Sequence, residues 1–293
     1  MTRRSCDQAP DQAVSLPAPV LRPFISHYAG FRSSGLAPGT HAGLPSRHMH
    51  LIIGLAEGAA GLIDVIGMPN GTQQPGKFQA LVSGLQDAPA VIRHNGSLHG
   101  MHVFLRPLGI RALFPASGPD LACGVFDLSE LWGRRAGRLI ERLKEAGSWQ
   151  QRFAILDDEF VRALMPVQAP RRLAWVWGRL AQTDGRLPVE SLARELGWSR
   201  RHFSERFRCE LGITPKTAAR IFRFEHACRV IKDERPGLAE AAYACGYHDQ
   251  AHMTREWNAL AGCTPAAWIA RELPIVQDYE IASGQNESLG STQ

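Results

Sequence analysis

Arg200, Arg201, Ser204, Glu205 and Arg208 fall on one face of a helix-compatible segment, and Gln250, Ala251, His252, Thr254 and Arg255 fall on the matching face about fifty residues later. These side chains have the chemistry to read base edges in a duplex groove. Arg donates two hydrogen bonds to guanine, Gln pairs with adenine, Glu accepts from cytosine, and an Ala methyl meets that of thymine. The rival reading of Arg200, Arg201 and Arg208 is an ordinary solvated helix face, and Glu205 could simply pair with Arg201 four residues earlier.

The repeat around these residues separates the two readings. Gly197, Phe203, Phe207 and Gly212-Ile213-Thr214-Pro215 recur as Gly246, Met253, Trp257 and Gly262-Cys263-Thr264-Pro265. Each copy has an amphipathic segment, Val189 to Leu196 or Leu238 to Cys245, and then a glycine free to take positive φ and end it. Ser199 or Asp249 is placed to cap the next helix by accepting a backbone N–H. Phe203, Phe207 and Leu211, or Met253, Trp257 and Leu260, supply its buried stripe. Two helix-turn-helix units in tandem are therefore expected. Thr214-Pro215 opens a third helix, running to about Lys232 before Arg235-Pro236-Gly237. Its length of roughly 27 Å suits two reading helices placed in successive major grooves, about 34 Å apart.

The stretch Val189 to Ile269 resembles the DNA-binding domain of the AraC/XylS transcriptional regulators. The likeness rests on Gly246-Tyr247-His248-Asp249-Gln250, Thr254-Arg255 and Gly262-Cys263-Thr264-Pro265, and extends roughly from Arg171 to Leu273. Trp257 stands where that family usually has Phe, and Asn258-Ala259-Leu260 replace the basic residues that normally follow. The resemblance implies double-stranded promoter or operator DNA as partner. For an activator it also implies RNA polymerase, and for the N-terminal domain a small-molecule effector or a homodimer contact. No catalytic residue, metal ligand or cofactor is expected.

Charge divides unevenly between the units. From Arg194 to Arg235 there are eleven Lys or Arg against six acids, a balance of +5, whereas Pro236 to Leu273 carries two against four, a balance of −2. The first unit is therefore expected to anchor and the second to discriminate. Over the whole chain of 293 residues the net charge is +5, which favours an anionic partner only mildly. That mild excess argues against a sequence-indifferent chromosome-organising protein.

No apolar run approaches the roughly twenty residues of a membrane helix, and polar Met1 to Asp11 lacks a signal-peptide core, so a cytoplasmic protein without membrane contact is expected. The six cysteines lack metal-site spacing, and Cys209, Cys228, Cys245 and Cys263 read as reduced packing residues.

Residues 1–170 read as a separate sensing or dimerisation domain, 171–273 as the reader, and 274–293 as a disordered polar tail. The fold class is α+β, with a mostly antiparallel β-domain and trailing helices ahead of an all-α domain. Strands are expected at His27–Phe31, His50–Leu55, Leu62–Ile66, Phe78–Val82, Ala90–Arg93 and Met101–Leu105, separated by Gly, Pro and Asn turn signals. Helices are expected at Leu108–Phe114, Leu131–Ala146 and Trp149–Leu164, the last packing or dimerising through Phe153, Leu156, Phe160 and Leu164. Leu105-Arg106-Pro107-Leu108-Gly109 with Leu113-Phe114 also resembles a subgroup of AraC-type regulators.

A different function class rests on His48-Met49-His50, Glu57, His94, His99 and His102. In a strand His48 and His50 share a face, as in the histidine-and-glutamate metal set of cupin dioxygenases. Six residues separate His50 from Glu57, more than that motif allows. The alternative to a regulator is thus a metal-dependent cupin-type enzyme fused to a DNA-binding module.

Overall fold

A computed structural model describes residues 11–167 and 170–271. The expected tail at 274–293 and the N-terminal segment up to Pro10 lie outside the described residues.

The N-terminal part consists of two antiparallel sheets packed face to face. The larger, in spatial order, joins β1 (Asp11–Ser15), β2 (Ile25–Ser33), β9 (Leu98–Leu105), β4 (Met49–Gly54), β7 (Ala80–Ser83) and β10 (Val125–Asp127). The smaller joins β3 (Gly39–Gly43), β8 (Ala90–His94), β5 (Ile63–Gly67) and β6 (Gly76–Phe78). Strand alternation gives the larger sheet two different faces. Tyr28, Met49, Leu51, Ile53, Met101, Val103 and Leu105 turn outward beneath helices, while Ile52 and Leu81 turn inward and meet Val65, Ala90 and Ile92 of the smaller sheet. Covered on both faces, these strands read as nearly continuous apolar runs.

Short helices follow: α1 (Ile110–Leu113), α2 (Gly118–Leu121), α3 (Leu128–Trp132), α4 (Arg134–Glu145) and α5 (Trp149–Ala163). Ser148 caps α5 by accepting from the Gln151 N–H. The apolar stripe of α5 is spent within the chain, since Phe153, Leu156 and Phe160 are buried and Tyr28 stacks on both Phe rings at 6.0 and 6.5 Å. Each fully buried side chain of this kind contributes about 1.5–3 kcal/mol. Beside them, Asp157 accepts from the Tyr28 hydroxyl and the Ala18 N–H, both at 2.9 Å.

Two expected elements are each divided. The run Phe78–Val82 splits between β6 and β7, which belong to different sheets. The helix expected over Leu131–Ala146 breaks at Gly133, whose φ of +53° and ψ of −136° end α3 and start α4 at a new angle.

The C-terminal part is helical: α6 (Arg171–Gln182), α7 (Val189–Glu195), α8 (Arg200–Leu211), α9 (Pro215–Asp233), α10 (Leu238–Ala244), α11 (Gln250–Ala261) and α12 (Pro265–Arg271). The larger apolar core runs continuously from the β-sheets into these helices. No disulfide joins the described cysteines; Cys245 is buried, as expected, but Cys209 is exposed on α8 rather than packed. Among the described residues no helix is long and apolar enough to cross a membrane.

Candidate nucleic-acid interface

The second helix of each repeat is built by matching devices. Ser199 accepts from the His202 N–H at 3.2 Å to start α8, and Asp249 accepts from the His252 N–H at 2.6 Å to start α11. That bond, and a second from the His248 ring, hold the Asp249 carboxyl below its usual range. Gly197 and Gly246 turn the chain before each helix at φ +67° and +76°. Gly212 and Gly262 end the helices at φ +77° and +69°, in the left-handed region that glycine enters without steric cost. Thr214 and Thr264 then cap α9 and α12 through N–H bonds from Thr217 and Ala267, both at 3.1 Å.

The buried stripes leave two outward faces. Phe203, Phe207 and Leu211 are buried under α8, and Met253, Trp257 and Leu260 under α11, with Trp257 edge-on to Phe224 and Trp268 at 4.9 and 5.3 Å. Arg200, Arg201, Glu205 and Arg208 are exposed and Ser204 half-buried beside them. On α11, Gln250, Ala251 and Arg255 are exposed and Thr254 half-buried. His252 is drawn inward: its Nδ1 accepts from the His248 N–H at 3.3 Å, its Nε2 lies 3.6 Å from Glu256, and its ring meets that of Tyr247 edge-on. Among the described residues no ion pair within 4 Å joins Arg201 to Glu205; Arg200 pairs instead with Glu190 at 3.0 Å, both largely exposed.

Sequence reasoning missed two features. Arg206, exposed on α8, adds another cation to the first face. Its repeat counterpart, Glu256, turns toward α9 and receives Arg220 at 3.1 Å and Arg223 at 3.5 Å, all three side chains mostly buried. The reversal of charge at one repeat position was the available signal.

The readers are also joined to the β-domain. Arg47, just ahead of β4, donates through its backbone N–H and Nε to Glu225 of α9 at 2.8 and 2.5 Å, and its guanidinium lies 4.7 Å over the Phe222 ring. The C-terminal end of α8 presses on α2, where a Cβ added to Gly118 would overlap the Glu210 carbonyl and one added to Gly212 would overlap Ala122.

The histidines singled out by sequence divide among separate places. His50 and His102 meet through Nδ1 and Nε2 at 2.7 Å inside the β-domain, with His48 and His27 beside them and Phe104 stacked on His27 and His102, each at 4.0 Å. His94 lies with His41 on the smaller sheet, His99 meets Trp149 edge-on, and Glu57 is exposed. Among the described residues no group of three or more His, Cys, Asp or Glu has the geometry to hold a metal ion.

Burial, reinforced by neighbouring histidines and, for His48, by Arg47 and Arg106, lowers His50 to about 4 and pushes His48 and His102 well below their ordinary value. Rings kept neutral in the fold but free to charge near 6.5 when unfolded stabilise fully above that pH, and their contribution is lost as pH falls toward about 4. The thermal midpoint should therefore drop between pH 6.5 and 4 more steeply in the wild type than in His102→Phe. Parallel profiles would show that the cluster does not control acid stability.

Comparison with known proteins decides the lineage of the repeat. Residues 192–271 match the family described as Helix-turn-helix domain. Over 86 residues the chain is 29% identical to the MmsAB operon regulatory protein of Pseudomonas aeruginosa, an alignment covering 29% of this chain and 28% of that protein. The chain thus carries a helix-turn-helix domain of the AraC/XylS type. Its fold extends the likeness beyond the repeat: ToxT from Vibrio cholerae aligns over 90% of this chain and 98% of its own, with a TM-score of 0.50 and 9% identity. ToxT solved with an unsaturated fatty acid bound aligns over 83% and 94%, with a TM-score of 0.51 and 9% identity. The β-sheets followed by tandem helix-turn-helix units thus share the fold of ToxT.

Proposed function

We propose that the protein is a sequence-specific DNA-binding transcription regulator, an activator, in which residues 171–273 read an asymmetric duplex site through α8 and α11. The observation that carries this reading is the pairing of two equally capped helices, each burying one apolar stripe and presenting a polar face. Arginine contacts to phosphate supply salt-sensitive affinity, and the outward residues of both helices supply the choice of bases.

Residues up to about 170 serve as the sensing domain, responding to a small-molecule effector and providing the homodimer contact. Arg47–Glu225 and the seam between α2 and α8 give that response a mechanical route to both the helix joining the readers and the first reader. As an activator the DNA-bound protein would present a surface to RNA polymerase.

The test is a fluorescence-anisotropy titration of the full chain on DNA from upstream of its own coding region and on scrambled DNA, at several salt concentrations. A preference of about a thousandfold or more is expected. Equal affinity for both would refute sequence-specific reading and leave a general DNA binder.

A further inference from the structure

A cavity of about 380 Å³ lies between the two sheets. Its walls include Phe31 and Ile52 of the larger sheet and Ile63 and Ile92 of the smaller one. The volume is within the range of small-molecule sites, which pair an apolar lining with a few placed polar groups.

Among the polar residues of the lining are His41 and His94. In the β3–β8 pairing, His41 stands opposite Ile92 and His94 opposite Gly39, so the two imidazoles are diagonal neighbours on the face that lines the cavity. Their ring centroids are 5.7 Å apart. His94 is 6% exposed, and neither of its ring nitrogens has a protein partner; nor has the buried Nδ1 of His41. A buried polar atom left unsatisfied is costly, so this arrangement favours a guest that completes the bonds. Burial lowers both imidazoles, His41 to about 4, and leaves each neutral with one donor and one acceptor. The cation at the rim, Arg93, is engaged by Asp64 at 2.9 Å.

We propose that this cavity is the effector site and takes an uncharged, ring-sized alcohol, aromatic or alicyclic, whose hydroxyl lies between His41 and His94. The hydroxyl accepts from one imidazole and donates to the other, while the ring fills the space between Phe31, Ile52, Ile63 and Ile92. A carboxylate would enter without a cation to meet it. The inference rests on the reading of the β-domain as a sensor, and its test uses no DNA, so that a failure here leaves the DNA titration standing and the reverse holds equally.

The test follows the histidine ring resonances of the full-length protein during titration with 1-naphthol, with naphthalene and 1-naphthoate as comparators. Saturable one-to-one binding of 1-naphthol is expected, moving His41 and His94. Its affinity should exceed that for either comparator at least tenfold, as naphthalene lacks the hydroxyl and 1-naphthoate is charged. Ile52→Trp, which fills the cavity, should abolish binding. In His94→Phe, which spares the lining volume should Ile52→Trp not fold, 1-naphthol should weaken at least tenfold while naphthalene changes little. The proposal is overturned if 1-naphthol does not saturate, if naphthalene or 1-naphthoate binds as tightly, or if the shifts are confined to His27, His48, His50 and His102.

Discussion

Replacing Arg200, Arg201 and Arg208 together by alanine should reduce affinity for duplex DNA at least a hundredfold near 0.1 M salt, on specific and scrambled sequences alike. All three are exposed on α8, and Arg200 is held only by its surface pair with Glu190, which costs little to release. Each phosphate that is no longer neutralised should lower the slope of log affinity against log salt by about 0.9, so the triple variant should bind with a slope shallower by about 2 to 3. Arg255→Ala should behave differently. It stands alone as an exposed cation among the candidate readers of α11, in a unit whose balance from Pro236 to Leu273 is −2. Its loss should take about 1–3 kcal/mol from the preferred site and almost nothing from scrambled DNA. A triple variant with an unchanged salt slope, alongside an Arg255→Ala variant that binds no DNA, would reverse the assignment of anchor and discriminator.

The tandem repeat was legible because local constraints recur. Gly197, Gly212, Gly246 and Gly262 all take positive φ, and Ser199, Asp249, Thr214 and Thr264 all accept cap bonds, so a short offset in sequence carries the whole local geometry. The β-domain was less legible for an equally physical reason. Gly39–Gly43 forms β3 without an apolar run, because its role is to pair with β8 at the cavity and not to fill a core. Asp11–Ser15 and Val125–Asp127 close the two edges of the larger sheet and are short or partly exposed. The pairing of Arg47 with Glu225 spans 178 positions, and no periodicity can announce a contact at that distance. Nor could the spacing of the histidines divide them: His41, absent from the sequence-derived set, joins His94, while His27, also absent, joins His48, His50 and His102.

Glu256→Ala should cost about 2–4 kcal/mol of stability, a large effect for a residue on a helix whose outward face is solvated. Its carboxylate receives Arg220 and Arg223 from α9 while only 14% exposed, and those side chains are 25% and 17% exposed. Removing it strands two guanidiniums in poor solvent contact, the circumstance in which breaking an ion pair is most destabilising. Arg223 would keep its bond to the Gly185 carbonyl at 3.3 Å and its place over the Tyr247 ring, and Arg220 would lose more. Because the same carboxylate orients α11 on α9, preference for upstream over scrambled DNA should fall with stability, and Glu256→Gln, which retains acceptors without charge, should lie between. The matched control is Glu205→Ala on α8, an exposed acid outside any ion pair within 4 Å among the described residues, expected to change stability by under about 0.5 kcal/mol. Urea denaturation monitored by tryptophan fluorescence, with anisotropy on both DNAs, reads both quantities. If Glu256→Ala is as mild as Glu205→Ala, the second reader is held by its apolar stripe alone, and the charge reversal between the repeats has no part in setting its orientation.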